Sequence, residues 1–241
     1  MYETGATYNN PNRRQTGRPI NTPFGYKALG YFNTADFNPD GSLKAGIPVP
    51  TFGKVQPGDI QYADLNGDGK IDANDQTVIG HPNTPEIIYG LEPRLTFKNF
   101  DLDVLFQGSG NSSIGLGNYF VFPFNASGSA SELTFDNHWI PTNQNALYPR
   151  LSGTPTSNNT QTSSWFIRND SYIRLKSFEL GYTLSNKLLR NKIQSVRLYV
   201  AGQNVFNYLP HVKEIIDPEN SGNNTNYYQQ RVLSLGINAT F

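Results

Sequence analysis

The chain has 241 residues, with 19 Lys+Arg balanced by 19 Asp+Glu, and it contains no cysteine. Charged residues make up 16% of it, against roughly 25% in an ordinary soluble domain. The balance excludes an electrostatic footprint for nucleic acid, and the missing thiols exclude a disulfide framework or a cysteine site. No apolar run approaches the ~18 residues of a spanning helix. Aromatics at 13%, with 22 Gly and 16 Pro, predict a turn-rich, all-β protein.

Residues 1–85 read as an irregular segment. Turn formers recur at Asn9–Asn12, Gly17–Pro19, Asn38–Gly41 and Pro57-Gly58, and only Tyr26–Phe32 is apolar enough for a short strand. Met1–Gly5 lacks the basic and apolar regions of a signal peptide. From Glu86 to Phe241 the pattern changes to period two. Ile87–Phe97 and Phe100–Gln107 flank a two-residue hairpin turn at Lys98-Asn99. Tyr172–Leu184 is the next predicted strand. Ile173 and Leu175 fall on the opposite parity to Phe178, Leu180 and Tyr182, so either a bulge lies near Lys176-Ser177 or that end faces something other than lipid. Ser195–Phe206 and Gln230–Phe241 complete the set, the last alternating without a break.

The connections run short (98–99), long (108–169), short (185–194) and long (207–229). A soluble sandwich has no reason to place long loops at alternate turns, whereas a transmembrane barrel with short periplasmic turns and long extracellular loops does. The strand lengths suit a tilted crossing of a bilayer. The reading favoured is therefore the C-terminal antiparallel strands of a large transmembrane β-barrel with long extracellular loops, an incomplete barrel. The alternative is a soluble calcium-binding β-sandwich acting as a carbohydrate-binding module.

Residues 64–75 form an acidic loop, with oxygen side chains at Asp64, Asn66, Asp68, Asp72 and Asp75. They occupy positions 1, 3, 5, 9 and 12 of an EF-hand-type calcium loop, with Gly69 at position 6 and Lys70 at position 7, where only its carbonyl would ligate. The last ligand is Asp rather than Glu, as in the dockerin variety, and no long helices flank the loop. A structural calcium ion is expected there; the alternative is a solvated Asn/Gly/Asp turn. His81, His138 and His211 share no zinc spacing. Gly108–Gly115 lacks the Lys-Ser/Thr of a phosphate loop and is expected to be a flexible loop. Glu132, Asp136 and Trp139 sit at a spacing that chance supplies, so no catalysis is expected. Tyr119, Phe120, Phe122, Phe124, Trp139, Tyr148 and Trp165 are expected to pack loops or form an interfacial girdle, with sugar stacking as the second reading.

The order of several blocks carries a family resemblance. Gly58–Asp72 leads to Asp75–Gly80, Tyr89-Gly90, Asn99–Leu102 and Phe106–Gly108, then Asn169–Lys176, Leu180–Thr183, Val196–Tyr199, Gly202–Phe206 and a terminal Phe. Together they resemble the C-terminal quarter of SusC/RagA-type TonB-linked outer-membrane transporters of Bacteroidota. The resemblance implies a plugged, roughly 22-stranded barrel, lidded by a SusD-like surface lipoprotein and importing oligosaccharides or peptides with energy from TonB. It also implies that Leu233–Phe241 is the strand recognised by the barrel-assembly machinery. Segments matching the family's leader, TonB-contacting box and plug are not among these residues, and TonB would act only through such a part. About five strands cannot close a barrel, so this chain alone is not expected to transport.

Overall fold

A computed structural model describes residues 4–117, 123–124, 128–184, 193–212, 217–219 and 229–241. In chain order it contains α1 (Gly5–Asn9), β1 (Phe24–Tyr26), β2 (Ala28–Tyr31), β3 (Val49–Pro50), β4 (Ile60–Tyr62), β5 (Lys70–Ile71) and β6 (Gln76–Val78). Next come β7 (Ile87–Leu91), β8 (Arg94–Phe97), β9 (Phe100–Gly110), β10 (Ser113–Gly115), α2 (Glu132–Asp136) and β11 (Ile167–Asn169). Three long strands end the chain: β12 (Tyr172–Thr183), β13 (Ser195–Tyr208) and β14 (Val232–Thr240). The all-β expectation holds.

Two compact units divide the chain, the first holding residues up to Asn83 together with Ser113–Arg168. The stretch Ser113–Arg168, which lies within the 86–241 segment of the sequence, thus groups with the first unit. The segment after β9 returns to the first unit because it carries that unit's apolar side chains. Ile114, Leu116, Trp139, Tyr148, Trp165 and Phe166 are buried there with Phe32, Ile60, Tyr62 and Ile71. The expectation of a flexible loop at Gly108–Gly115 fails for the same reason. Gly108–Gly110 continue β9, Ser113–Gly115 form β10, and Ser112, Ser113 and Ile114 are buried.

The first unit pairs its strands in short ribbons, β1 with β6, β2 with β4, and β3 with β5. Such small ribbons hold only if side chains complete them, and a buried polar network does so. The fully buried Asp59 carboxylate accepts from Arg150 Nε at 2.8 Å, Asn159 Nδ2 at 3.0 Å and the Gln56 N–H at 2.8 Å. Asn159 Oδ1 accepts the Ile60 N–H at 2.9 Å, and Asn158 donates to the Ile60 carbonyl at 2.8 Å. The backbone of Ile60 in β4 is thereby tied to residues about a hundred positions later. Trp165 Nε1 donates to the Tyr31 hydroxyl, which donates to the Leu147 carbonyl, each at 2.9 Å.

The second unit is one antiparallel sheet in the order β14-β13-β12-β9-β7, with β8 also on β9. The strand expected over Ile87–Phe97 is interrupted at Glu92-Pro93, since proline has no N–H to give the ladder. Its register nonetheless runs unbroken, from Ile87↔Gly110 to Phe97↔Phe100. At the Lys98-Asn99 turn Lys98 takes the positive φ of 54° that a tight hairpin needs. The parity change in β12 proves to be a register shift between Leu175 and Ser177 against both neighbours. It returns Leu175 to the face of Phe106 and Phe206, its partners on either side. Most of the 185–194 and 207–229 connections lie outside the described residues.

Both tryptophans, Trp139 and Trp165, are buried in the first unit, so tryptophan fluorescence follows that unit alone. Asp59→Ala strands the Arg150 guanidinium and two amide donors, a loss of about 3 kcal/mol for breaking a buried pair. Urea titration read by tryptophan emission is expected to show a correspondingly lower midpoint; an unchanged midpoint would show that the network is dispensable.

Candidate functional site

Three features carry chemistry: the two faces of the sheet, a charge cluster near one end of it, and the acidic loop. Directly paired residues of an antiparallel sheet share a face, so the register builds rows. One row runs Leu95, Leu102, Leu180, Val200, Leu235, and the next runs Phe97, Phe100, Tyr182, Leu198, Ile237. This face is apolar across every strand yet exposed: Leu95 is 60% accessible, Leu235 84% and Ile237 70%. Exposed apolar surface of this extent marks contact with a nonaqueous neighbour.

The opposite face is polar and charge-paired. Arg94 Nε lies 2.9 Å from Asp103 on β9. Arg197 on β13 bonds Glu179 on β12 at 2.7 Å and reaches Asp101 on β9 with both Nε, at 3.0 Å, and Nη2. The carboxylates of this face are the Asp101 and Asp103 that alternate with apolar residues in the sequence. Arg94 is the direct partner of Asp103 across the Lys98-Asn99 hairpin, whereas Arg197 stands two strands further along the chain from Asp101 and could not be assigned from spacing.

Beyond the bulge, the same face holds Arg174, buried to 3% exposure. Its guanidinium meets Asp217 at 2.9 Å and Glu219 at 3.0 Å, and Lys176 meets Glu219 at 2.6 Å. The Tyr172 hydroxyl donates to Glu219 at 2.9 Å, and the Gln229 N–H to Asp217 at 3.0 Å. Arg174 Nε has no partner among the described residues. Residues 217–219 and 229 are thus moored to β12 by charge. Sequence reading missed this cluster, because its acids and its cations stand more than 40 positions apart.

In the acidic loop the side chains first satisfy the backbone. Asp64 accepts the N–H groups of Gly67 at 2.7 Å and Gly69 at 2.8 Å. These two glycines take positive φ values of 76° and 79°, which turn the chain back around Asp64. Desolvation works against ionising Asp64, but the Gly69 and Gly67 donors outweigh it and hold its carboxyl below the usual range. Asn66 Oδ1 accepts the Asp68 N–H at 3.0 Å, and Asp68 the Lys70 N–H at 2.9 Å. Asp72 caps the following turn through the Asn74 N–H at 2.7 Å. Asp75 is fully buried and takes the N–H groups of Leu65 at 2.8 Å and Asp72 at 2.9 Å. The donor set is all hard oxygen, which suits calcium chemistry. Among the described residues, however, no three acidic or histidine side chains stand close enough to hold a metal. Lys70 lies in β5.

Of the loop aromatics, Trp139, Tyr148 and Trp165 are buried and Phe124 is exposed; Tyr119, Phe120 and Phe122 lie outside the described residues. The three buried rings therefore pack the first unit and present no stacking platform. A groove of about 610 Å³ lies elsewhere on that unit, lined by Phe37, Leu43, Pro50 and Lys54 among others.

The mooring of residues 217–219 has a pH signature. Burial alone would raise both carboxyls. For Asp217 the N–H groups of Gln229 and Glu219 and the Arg174 guanidinium outweigh it. For Glu219 the Lys176 ammonium, the Tyr172 hydroxyl and Arg174 do so. Folded values below the unfolded ones mean stability that is full above the unfolded values, about 3.9 and 4.3, and lost as pH falls through the lowered folded ones. Hydrogen exchange of the Glu219 and Gln229 amides, which donate to Asp217, should be constant from neutral pH down to about 5, after correction for intrinsic rates, and should lose protection below about pH 4. Lost protection between pH 7 and 5 would contradict the cluster.

No family model matches the chain. It is 32% identical over 240 residues to "TonB-dependent receptor P3" of Formosa agariphila, covering 93% of this chain and 22% of that protein. "TonB-dependent receptor SusC" of Bacteroides thetaiotaomicron is 29% identical over 191 residues, covering 77% of this chain and 18% of that protein. The chain thus spans about a fifth of the length of the curated relatives it matches. Among solved structures, the "RagAB peptide transporter" superposes with a TM-score of 0.64 at 20% identity, over 91% of this chain and 22% of that one. The "closed-closed" state of the RagAB peptide importer gives 0.58 at 18% identity, over 90% of this chain and 23% of that one. By sequence and by fold, the chain belongs with the C-terminal part of the SusC/RagA-like TonB-dependent transporters.

Proposed function

We propose that the chain is the C-terminal wall segment of an outer-membrane, TonB-dependent importer of glycans or peptides that works with a SusD-like surface lipoprotein. The observation that carries this reading is the two-faced sheet. Its outward rows are apolar from β8 to β14, and its other face pairs charges. Such a division suits strands with hydrocarbon on one side and a polar lumen on the other. A soluble sandwich would instead cover Leu233, Leu235 and Ile237 with a second sheet, and all three are exposed.

In this reading the segment supplies wall and loops, without catalysis. The connections 108–169 and 207–229 face the cell exterior, and Leu233–Phe241 is the strand offered to the barrel-assembly machinery. TonB acts through parts of the importer outside these residues. The sheet's unpaired edge groups need neighbouring strands before they can sit in hydrocarbon, so transport belongs to the whole assembly. Peptide as cargo is supported by the likeness to the RagAB peptide transporter, and glycan by the resemblance to the SusC type.

Calcium in the 64–75 loop is part of the proposal. It is supported by five oxygen side chains at ligand spacing, namely Asp64, Asn66, Asp68, Asp72 and Asp75, with the Lys70 carbonyl as a sixth donor. The ion would neutralise an acidic turn that already curls around Asp64.

The membrane reading is tested by detergent-phase partition of the full chain and of Leu235→Arg. The parent is expected in the detergent phase, and the arginine should cost about 2–4 kcal/mol of insertion if residue 235 lies near mid-bilayer. A soluble, monomeric parent that unfolds cooperatively would overturn it in favour of the sandwich. Calcium is tested separately, by titrating the ion while following hydrogen exchange over residues 60–80. Protection should rise in the parent and stay flat in Asp64→Ala and Asp68→Ala; a flat parent response removes the ion from the proposal.

A further inference from the structure

The charges of the sheet are matched at one end and unmatched at the other. Phe100 pairs with Tyr182 and Thr183 with Arg197, so the Lys98-Asn99 turn and the connection from β12 to β13 leave the sheet at the same end. At the opposite end Arg174 and Lys176 are matched by Asp217 and Glu219. Near the turn, Asp103 and Asp101 are taken by Arg94 and Arg197. Lys98 makes no ion pair among the described residues. In sequence, the connection that follows β12 adds Lys187, Arg190 and Lys192 and no acid.

Lys98 also lies on the apolar side of the sheet. Its ammonium stands 5.2 Å from the centroid of the Phe97 ring, and Phe97 belongs to the apolar row that continues through Phe100, Tyr182, Leu198 and Ile237. The cation therefore sits at the rim of that face, away from the carboxylates of the polar one. Phe97 is 69% exposed and Phe100 51%, and the Phe100 and Tyr182 rings lie 4.7 Å apart. Aromatic rings that edge an apolar band sit at the depth where hydrocarbon gives way to headgroups. A lysine there lays its stem along apolar surface and holds its ammonium just beyond it.

We propose that Lys98 and the aromatic edge Phe97, Phe100 and Tyr182 form a docking site for an anionic phospholipid. The ammonium meets the headgroup phosphate, the rings meet the glycerol and the first methylenes, and the acyl chains continue over Leu95, Leu102 and Leu180. This site rests on the membrane reading given above. A phosphate supplies the negative charge that no carboxylate of the sheet supplies to Lys98. A free anion would leave the exposed rings in water, whereas a lipid answers both the charge and the apolar row beside it.

The cysteine-free chain accepts a single bimane label, at Leu95→Cys beside Phe97 on the same face, or at Ile237→Cys at the far edge of the sheet. The full chain is reconstituted in phosphatidylcholine vesicles, and quenching by brominated phosphatidylglycerol is compared with quenching by brominated phosphatidylcholine at equal mole fraction. One lysine enriches an anionic headgroup by up to about fivefold, so the quenching ratio at 95 should exceed that at 237 by about twofold or more. Lys98→Gln should bring the ratio at 95 down to the level at 237, Lys98→Arg should keep the excess, and millimolar inorganic phosphate should leave it unchanged. An excess missing from the parent, or one that survives Lys98→Gln, overturns the site. Displacement by inorganic phosphate also overturns it, in favour of a free anion. Equal quenching by the two lipids at both labels removes the site alone, whereas quenching by neither lipid overturns the membrane reading and the site with it.

Discussion

Alternation of side chains along β8 to β14 is the constraint on which the rest of this molecule depends. Every second residue of each strand meets one environment and the intervening residues meet another. Once Leu95, Leu102, Leu180, Val200 and Leu235 are committed to one face, Asp101, Asp103, Glu179 and Arg197 have no choice but the other. Charges confined to one face of a sheet cannot turn away from their neighbours. They must be matched across strands, and Arg94–Asp103 and Arg197–Asp101–Glu179 are that matching. The bulge at Leu175–Ser177 belongs to the same logic. It restores Leu175 to the apolar side and leaves Tyr172, Arg174 and Lys176 beside Glu219.

The first unit solves a different problem. Its strands are two to four residues long and supply few ladder hydrogen bonds, so its stability is carried by side chains. Rings fill the interior, with Tyr26 5.1 Å from Phe52 and 5.4 Å from Tyr62 between centroids. Asp59, Arg150, Asn158 and Asn159 then close the polar groups that short ribbons leave open. A buried acid with three donors is costly to disturb but also specific, since no other packing of the loops would satisfy all of them. The aromatic abundance thus serves two ends, packing in this unit and exposed apolar surface in the sheet.

This division of labour suits the proposed role as part of an importer's wall. The sheet would offer lipid a face without charge, while the first unit carries the acidic loop and the groove at Phe37. In the proposed arrangement, cargo and lid would meet the loops, and the strands would do no more than hold their roots in place. Moored residues such as 217–219, tied to β12 through Arg174 and Lys176, show how a long connection can be fixed at its base without regular structure.

The period-two runs and the turn at Lys98-Asn99 were legible in the linear order of residues. So was the two-faced character of the sheet, because alternation is a local property: a residue and its second neighbour share a face whatever the tertiary structure. The acidic spacing at 64–75 was equally local. Contacts between distant positions were not. Pro93 looked like one more residue of a strand until its missing N–H met β9. The 108–169 segment looked like loop because its composition is polar, yet its scattered Ile114, Trp139, Tyr148 and Trp165 pack into a unit that begins near residue 4. Arg197 meeting Asp101, Arg174 meeting Asp217, and Asp59 meeting Arg150 each required the register to be known. The sequence by itself determined which residues alternate and hence which face each would take. Only the tertiary structure decided which strand each charge would reach, because a salt bridge across a sheet depends on pairing between segments that local pattern leaves free to slide.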